Sequence, residues 1–328
     1  MIITRTPFRL SFLGGGSDYP QWFNKHGGLC VGGTIDKFNF ITVRYLPPYH
    51  DYKSRIVYSK IETAQHNADI QHGAVLETIR HLNLEKYGLE ILHAADLPGR
   101  SGTGSSSAFV VGLLNALSSL QGTRMSPREL ADAAIHIEQT RLKETVGCQD
   151  QTWAAHGGLK VIRFQRDQTE VLPLTITHDQ VDDLQDHLML FFTGIQRTSS
   201  EIAKQYAGTL ETKTAEMWAM MRLAEQGIEA LYGSQWEKLG QLMDQSWRIK
   251  CSLSADVSTE AIHRMYSTAR LSGAFGGKII GSGGGGCLLV VAPQERHQEI
   301  IAQLAGEGCV HIPFRFHSSG SSVIFCER

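Results

Sequence analysis

The chain has 328 residues, 42% of them hydrophobic, with 31 Lys and Arg against 33 Asp and Glu and a formal net charge of −2. This length exceeds that at which a single core usually keeps growing, so one large or two medium domains are expected, and the balanced charge, with no basic run interleaved with aromatics, argues against nucleic acid or an anionic membrane as partner. Six cysteines (Cys30, Cys148, Cys251, Cys287, Cys309, Cys326) lack Cys-x-x-Cys spacing, which points to buried free thiols rather than zinc; with no signal-peptide pattern and no apolar run of membrane-spanning length, the expected address is a reduced cytoplasm.

Alternation predicts strands over 2–13 and 30–46, the second carried by Ile35-Asp-Lys-Phe-Asn-Phe-Ile-Thr-Val-Arg-Tyr45, and a helix follows over 69–82. The run Tyr87–Ala94 reads as a strand and leads into Leu97-Pro98-Gly99-Arg100-Ser101-Gly102-Thr103-Gly104-Ser105-Ser106-Ser107-Ala108, which opens directly into the helix-compatible stretch Ala108–Leu117. Ser126-Pro-Arg-Glu129 is a capping box with Pro at the first helical position, and it launches a helix through Arg141. Leu130, Ala134 and Ile137 form that helix's core stripe, with Glu138 at its border, displaced by about 100° per residue. A short helix over 147–156 breaks at Gly157-Gly158 into a strand, Leu159–Phe164. A strand over His187–Thr193 precedes long helical segments around 199–231, 235–250 and 257–271, and the tail from Gly273 alternates strand, helix and strand. A soft boundary near residue 185 divides the chain into 1–185 and 186–328. Periodicity alone gives a mixed α and β protein of two domains.

The segment 97–108 reads as a phosphate loop. Glycines at 102 and 104 let backbone amides converge without Cβ interference, the helix behind them adds unpaired N–H groups and the positive end of its dipole, and three successive hydroxyls can bond phosphate oxygens or a metal ion. The familiar loops fit badly: a P-loop needs Gly-Lys-Ser/Thr, whereas Gly104 is followed by Ser105, and a Rossmann fingerprint needs Gly or Ala where Ser107 stands. Two further glycine-rich segments accompany it, Thr6-Pro-Phe-Arg-Leu-Ser-Phe-Leu-Gly-Gly-Gly-Ser-Asp-Tyr-Pro20 and Gly273-Ala-Phe-Gly-Gly-Lys-Ile-Ile-Gly-Ser-Gly-Gly-Gly-Gly-Cys287.

In order, spacing and context, across the whole chain, these three segments resemble the three motifs of the GHMP kinases, named for galactokinase, homoserine kinase, mevalonate kinase and phosphomevalonate kinase. Within the family, Arg9-Leu-Ser-Phe-Leu-Gly-Gly-Gly-Ser-Asp-Tyr19 is most similar to the sugar 1-kinases, above all those acting on heptose 7-phosphates; Gly15-Gly16-Ser17 departs from the Gly-Glu-His-Thr-Asp-Tyr of galactokinases. The resemblance implies an α+β fold with an ATP- and substrate-binding N-terminal domain like ribosomal protein S5 domain 2 (1–185), a ferredoxin-like C-terminal domain (186–328), and an active site between them. It implies ATP and Mg2+, and as acceptor the anomeric hydroxyl of D-glycero-D-manno-heptose 7-phosphate, in nucleotide-activated heptose biosynthesis. Alternatives are a fucokinase-like sugar 1-kinase and a silent sugar sensor, and a homodimer is left open.

The same resemblance assigns roles to individual residues. Asp150, in Val146-Gly-Cys-Gln-Asp-Gln151, takes the place of the family's catalytic aspartate, where a carboxylate accepts the hydroxyl's proton or orients it; otherwise it is a helix N-cap. Arg9 stands where most relatives have Lys, and since Arg does not lose its proton, its role is to stabilise charge or hold the γ-phosphate. Pro98, Arg100, Ser101, Gly102, Thr103, Gly104, Ser105, Ser106 and Ser107 are expected around the nucleotide. Ser105 or Ser106 with Glu138 is expected on the metal, although a lone helix Glu is usually solvated. Gly16, Ser17 and Asp18 are expected on the sugar, with an Asx turn as the plain alternative for Asp18, and Gly283 and Gly284 in a second backbone nest. Arg197, with Thr198–Ser200, is expected to receive the substrate's distal phosphate. Lys278 reads as a surface charge, His93, His136 and His156 as structural histidines, and the Trp and Met residues at 217–221 and 243–247 as core.

Overall fold

The computed structural model describes residues 1–196, 207–208, 210 and 212–327. Strand β1 (Ile2–Leu13) runs antiparallel to β2 (Gly28–Tyr45) across the short helix α1 (Pro20–His26). β2 has 18 residues, enough for two neighbours on its far side: β5 (Leu89–Ala95) pairs along 39–45, while β6 (Lys160–Gln165) pairs along 28–32 and carries β7 (Gln168–Pro173) beyond it. Short strands β3 (Ser54–Val57) and β4 (Ile61–Ala64) extend the β5 edge.

Helices α2 (Gly73–His81), α3 (Ser105–Leu120), α4 (Pro127–Ile135) and α5 (Gln149–His156) pack with this sheet. α3 lies between the strands and the other three helices, which is why its residues 107–118 are all buried, apolar side chains facing every direction. The capping box at Ser126 forms as its sequence predicts: Ser126 N–H donates to Glu129 Oε2 at 2.7 Å, and Glu129 N–H donates to Ser126 Oγ at 3.3 Å. The helix it launches does not continue as α-helix to Arg141. It ends at Ile135, and a π-helical turn covers His136–Arg141.

After α6 (His178–His187) comes a smaller antiparallel sheet of β8 (Leu188–Phe192), β9 (Gly276–Ile279), β10 (Cys287–Val291) and β11 (Val310–Ile312), in the order β11-β8-β10-β9. That order is the ferredoxin-like one, with helices Thr214–Tyr232, Trp236–Leu253 and Glu260–Leu271 in the first crossover and His297–Gly306 in the second. The helical segment expected from about residue 199 starts outside the described residues. Met217, Met220, Met243 and Trp247 are core, whereas Trp218 is exposed.

The tail belongs to both sheets. β12 (Ser322–Cys326) pairs antiparallel with β1, and the approach to it is tied down by Gly158 N–H donating to His317 O at 3.1 Å. One apolar cluster runs from Phe8 and Leu10 through Leu114 to Leu231, Leu239 and Leu289, joining the two sheets through a shared core. All six cysteines are free; Cys326 is exposed rather than buried. Among the described residues no helix is long and apolar enough to cross a membrane.

Candidate active site

The three glycine-rich segments meet at a cavity of about 420 Å³, bordered also by the N-terminus of α5 and the loop before it. Gly104 takes left-handed backbone (φ 76°) as N-cap of α3 and supplies no capping side chain, so the first amides of Ser105, Ser106 and Ser107 remain for a ligand. Gly102 and Gly281 lie back to back: a Cβ on Gly102 would sit 2.3 Å from Ile280 O, and one on Gly281 would sit 2.7 Å from Gly102 Cα. Cys287 N–H donates to Ser101 O at 2.9 Å across the same seam. The third glycine-rich segment thus both borders the cavity and shapes the phosphate loop.

Within that loop the roles divide. Arg100, Gly102, Gly104, Ser105, Ser106 and Ser107 line the cavity. Ser101 and Thr103 are buried with their hydroxyls 2.6 Å apart, holding the turn, and Pro98 is exposed away from the lining.

Arg9 and Asp150 come together from β1 and the first turn of α5. Arg9 Nε donates to Asp150 Oδ1 at 2.8 Å and Nη2 to Oδ2 at 2.6 Å, a bidentate fork, while Nη1 donates to Gly102 O at 2.5 Å. The guanidinium, buried in the sheet, therefore fixes the carboxylate and the phosphate loop relative to each other. Asp150 Oδ2 lies beside Gly104, where a Cβ would approach it to 3.3 Å.

Glu138 sits on the other flank of the loop, fully buried, at 0% exposure. It lies in the π-helical turn, next to the buried Ile137, and a constant step of about 100° per residue already places it between Ala134 and Ala131 on the buried face of the helix. Its carboxylate accepts from Ser107 Oγ at 2.9 and 3.1 Å and from Gln151 Nε2. The hydroxyl on Glu138 is therefore that of Ser107 rather than of Ser105 or Ser106, because the third residue of α3 is the one turned toward the π-helical turn. These donors are neutral, and burial pushes the Glu138 carboxyl up to about 8. A buried carboxylate without a cation, flanked by serine hydroxyls, suits a hard divalent ion that takes one or two protein oxygens, several waters and nucleotide phosphates. Among the described residues no group of three or more His, Cys, Asp and Glu would hold a metal by itself.

The side of the cavity next to α5 is built around Asp18. Its carboxylate is buried and accepts Gly16 N–H at 2.8 Å and Gln149 N–H at 3.3 Å; burial raises its pKa against those bonds. Gly147 makes room for it, since a Cβ there would fall 1.8 Å from Asp18 Oδ2. Gly15, Gly16 and Gly283 border the cavity with it. Ser17 does not: its hydroxyl donates to Gly14 O at 2.8 Å and accepts Leu29 N–H at 2.9 Å, so it closes the turn instead of facing a ligand. Gly284 likewise leaves the lining to donate its N–H to Val257 O at 2.7 Å. Arg197 and Thr198–Ser200 lie outside the described residues.

Two cavity residues depart from the sequence reading. Lys278 is buried rather than a surface charge, and Lys250, unremarked in the sequence, is buried beside it; burial lowers them to about 7 and about 8 respectively. His93, His136 and His156 are not in the lining.

A glycine-rich turn under a helix N-terminus, a carboxylate held by an arginine and a second buried carboxylate at one cavity suit phosphoryl transfer, and the likeness to known proteins gives the same class, a phosphotransferase. Residues 71–158 match the GHMP kinases N terminal domain and residues 228–310 the GHMP kinases C terminal domain, together more than half of the chain. The chain belongs to the GHMP kinase family and is an ATP-dependent kinase. It is 28% identical over 331 residues to D-glycero-alpha-D-manno-heptose 7-phosphate kinase of Campylobacter jejuni, a match covering 97% of each chain. It is 23% identical over 323 residues to bifunctional fucokinase/GDP-fucose pyrophosphorylase of Arabidopsis thaliana, covering 91% of this chain and 30% of that one. Among solved structures it is similar to a D-glycero-D-manno-heptose 1-phosphate kinase from Bacteroides thetaiotaomicron, with a TM-score of 0.82, 23% identity and the whole of both chains covered.

Proposed function

We propose that this sugar kinase transfers the γ-phosphoryl group of ATP to the anomeric hydroxyl of D-glycero-D-manno-heptose 7-phosphate, giving the 1,7-bisphosphate. The observation that carries the reading is the bidentate Arg9–Asp150 pair seated between the phosphate loop and the Asp18 side of one cavity. The near-full-length likeness to a heptose 7-phosphate kinase supports the choice of sugar.

The phosphate loop, chiefly its 105–107 amides, receives the triphosphate, with Ser101 and Thr103 shaping the turn. Asp18 and the 15–16 backbone hold the sugar hydroxyls. Asp150 takes the proton of the anomeric hydroxyl as its oxygen bonds to the γ-phosphorus, and the bond from that phosphorus to the β–γ bridging oxygen breaks to release ADP. Arg9 keeps the accepting oxygen in place and cannot itself relay the proton. Glu138, with the hydroxyls of Ser105–Ser107, would hold Mg2+, whose chemistry is to neutralise charge on the phosphates. The division at about residue 185 stands in this reading, with the tail 315–327 completing the first unit.

The two heptose kinases named above agree on a phosphorylated heptose and differ on the position of its phosphate. A sugar already esterified at C1 has no anomeric hydroxyl to offer, so locating the new phosphate decides between them. Incubation of the chain with ATP, Mg2+ and a panel of heptoses, heptose phosphates and fucose, followed by phosphorus NMR of the product, is expected to show a new anomeric phosphate on heptose 7-phosphate. A new phosphate at C7, or faster turnover of fucose, would overturn the reading.

A further inference from the structure

Lys250 and Lys278 take no part in the step above, yet both face the cavity and are 7% and 4% exposed. Lys250 comes from the last turn of the helix Trp236–Leu253, and Lys278 from β9. Each ammonium group donates to one backbone carbonyl, Lys250 to Gly281 O and Lys278 to Phe12 O at 3.1 Å, which leaves two hydrogens apiece.

Neither has an ion-pair partner among the described residues. The charges nearest them are largely committed elsewhere: Asp150 gives both oxygens to the Arg9 fork, and Asp18 accepts two backbone N–H groups. Arg9 and Asp150 offset each other, and Asp18 is one carboxylate for two lysines; the further carboxylates of the lining, Glu138 and Glu144, make no ion pair with either lysine among the described residues. Buried charge of that kind is stable only with a partner. The chemistry that suits such a pair is an anion, and both lysines line the cavity.

Position narrows its identity. Lys278 reaches the end of β1, just before the Gly14–Gly16 turn, and Lys250 reaches Gly281, which abuts Gly102. The pair thus spans the acceptor side up to the edge of the phosphate loop. The geometry points to Lys250 and Lys278 as the clamp for the phosphomonoester that the acceptor sugar already carries, and so as the residues that select a phosphorylated over an unphosphorylated sugar. This rests on the sugar-phosphate reading above. Two ammonium groups with two free hydrogens each match the terminal oxygens of a phosphate dianion. Burial lowers the pKa values of both lysines against the pull of Asp18, and an arriving dianion would hold their protons in place.

The test compares kcat/KM for heptose 7-phosphate and for the unphosphorylated heptose in the parent, Lys250→Met and Lys278→Met, together with calorimetric titration of inorganic phosphate into nucleotide-free protein. The parent is expected to favour the phosphorylated sugar. Each substitution is expected to narrow that preference by about 10–100-fold, through KM for the sugar phosphate rather than KM for ATP, and to weaken phosphate binding. Met keeps the length of the side chain and removes a buried charge, so both variants are expected to melt no lower than the parent. A preference that survives both substitutions, a loss that falls on KM for ATP, or a lower melting temperature with equal losses on both sugars would remove the lysines from this role. A parent that shows no preference for the phosphorylated sugar would instead overturn the sugar-phosphate reading itself, and the clamp with it.

Discussion

The two flanks of the cavity are opposite in charge and alike in having no ion pair among the described residues. On the α3 flank a fully buried carboxylate, Glu138, is held by a serine, a glutamine and no cation; on the ferredoxin-like flank two buried ammonium groups, Lys250 and Lys278, are held by carbonyls and no carboxylate. Between them Arg9 and Asp150 satisfy each other. The difference teaches which charges belong to the fold and which to the ligands. The central pair is part of the protein's own structure, while in the function and the lysine clamp proposed above the flanks take charge that arrives from outside, a cation with the nucleotide on one side and an anion on the acceptor on the other. A site of this kind gives its strongest electrostatic stabilisation only when both substrates are present.

The largest effect is expected from breaking the centre. Asp150→Asn keeps the shape and one acceptor oxygen, but places an amide where a proton acceptor stood, and kcat is expected to fall by about 10²–10⁴-fold with nucleotide binding retained. Steady-state rates at saturating sugar and ATP, paired with nucleotide titrations, check this. Turnover within a few-fold of the parent would show that the central pair only organises the loop.

The next effect sharpens the contrast with the anionic flank. Glu138 has its carboxyl pushed up to about 8 from an ordinary 4.5, so without metal the folded chain keeps a proton that the unfolded chain has already lost over that window. Stability is therefore expected to fall as pH rises from about 5 to about 8, and to level off above it. Glu138→Gln preserves a neutral, hydrogen-bonding side chain and is expected to flatten that slope while raising the Mg2+ concentration needed for activity. Denaturant titrations at both ends of the window, with and without Mg2+, measure it. A variant with the parent's slope and the parent's Mg2+ curve would place the cation elsewhere.

How far all this is visible in the sequence follows the same contrast. Arg9, Asp18, Asp150 and the 101–107 turn stand in short contiguous segments whose glycines announce close backbone approach, and the structure gathers them at one cavity. Glu138 carries its signal only through a helical repeat, which puts it on the buried face but says nothing of the Ser107 and Gln151 side chains that meet it there. Lys250 looks like any basic residue in the last turn of an amphipathic helix. Lys278 lies in a four-residue strand buried along its whole length, where alternation distinguishes no face. β3 and β4 are too short for periodicity, and β12 finds its partner at the opposite end of the chain, a pairing no local pattern encodes.

The smallest expected effect separates the serines. Ser107 is buried and gives its hydroxyl hydrogen to Glu138, whereas Ser105 is only partly buried and lines the cavity. Ser107→Ala leaves a buried carboxylate with one donor fewer, and is expected to destabilise the metal-free protein by about 1–3 kcal/mol. It is also expected to raise the Mg2+ requirement, because in the proposed function the loss falls on the group that would receive the cation. Ser105→Ala is expected to alter the Mg2+ curve with a stability change under about 0.5 kcal/mol, as for an ordinary surface position. Thermal melts and Mg2+ titrations of the two variants side by side make the comparison. The reverse pattern, with Ser105→Ala the more destabilising, would mean that Glu138 is held by the first residue of the helix rather than the third, and that the anionic flank is oriented differently toward the nucleotide.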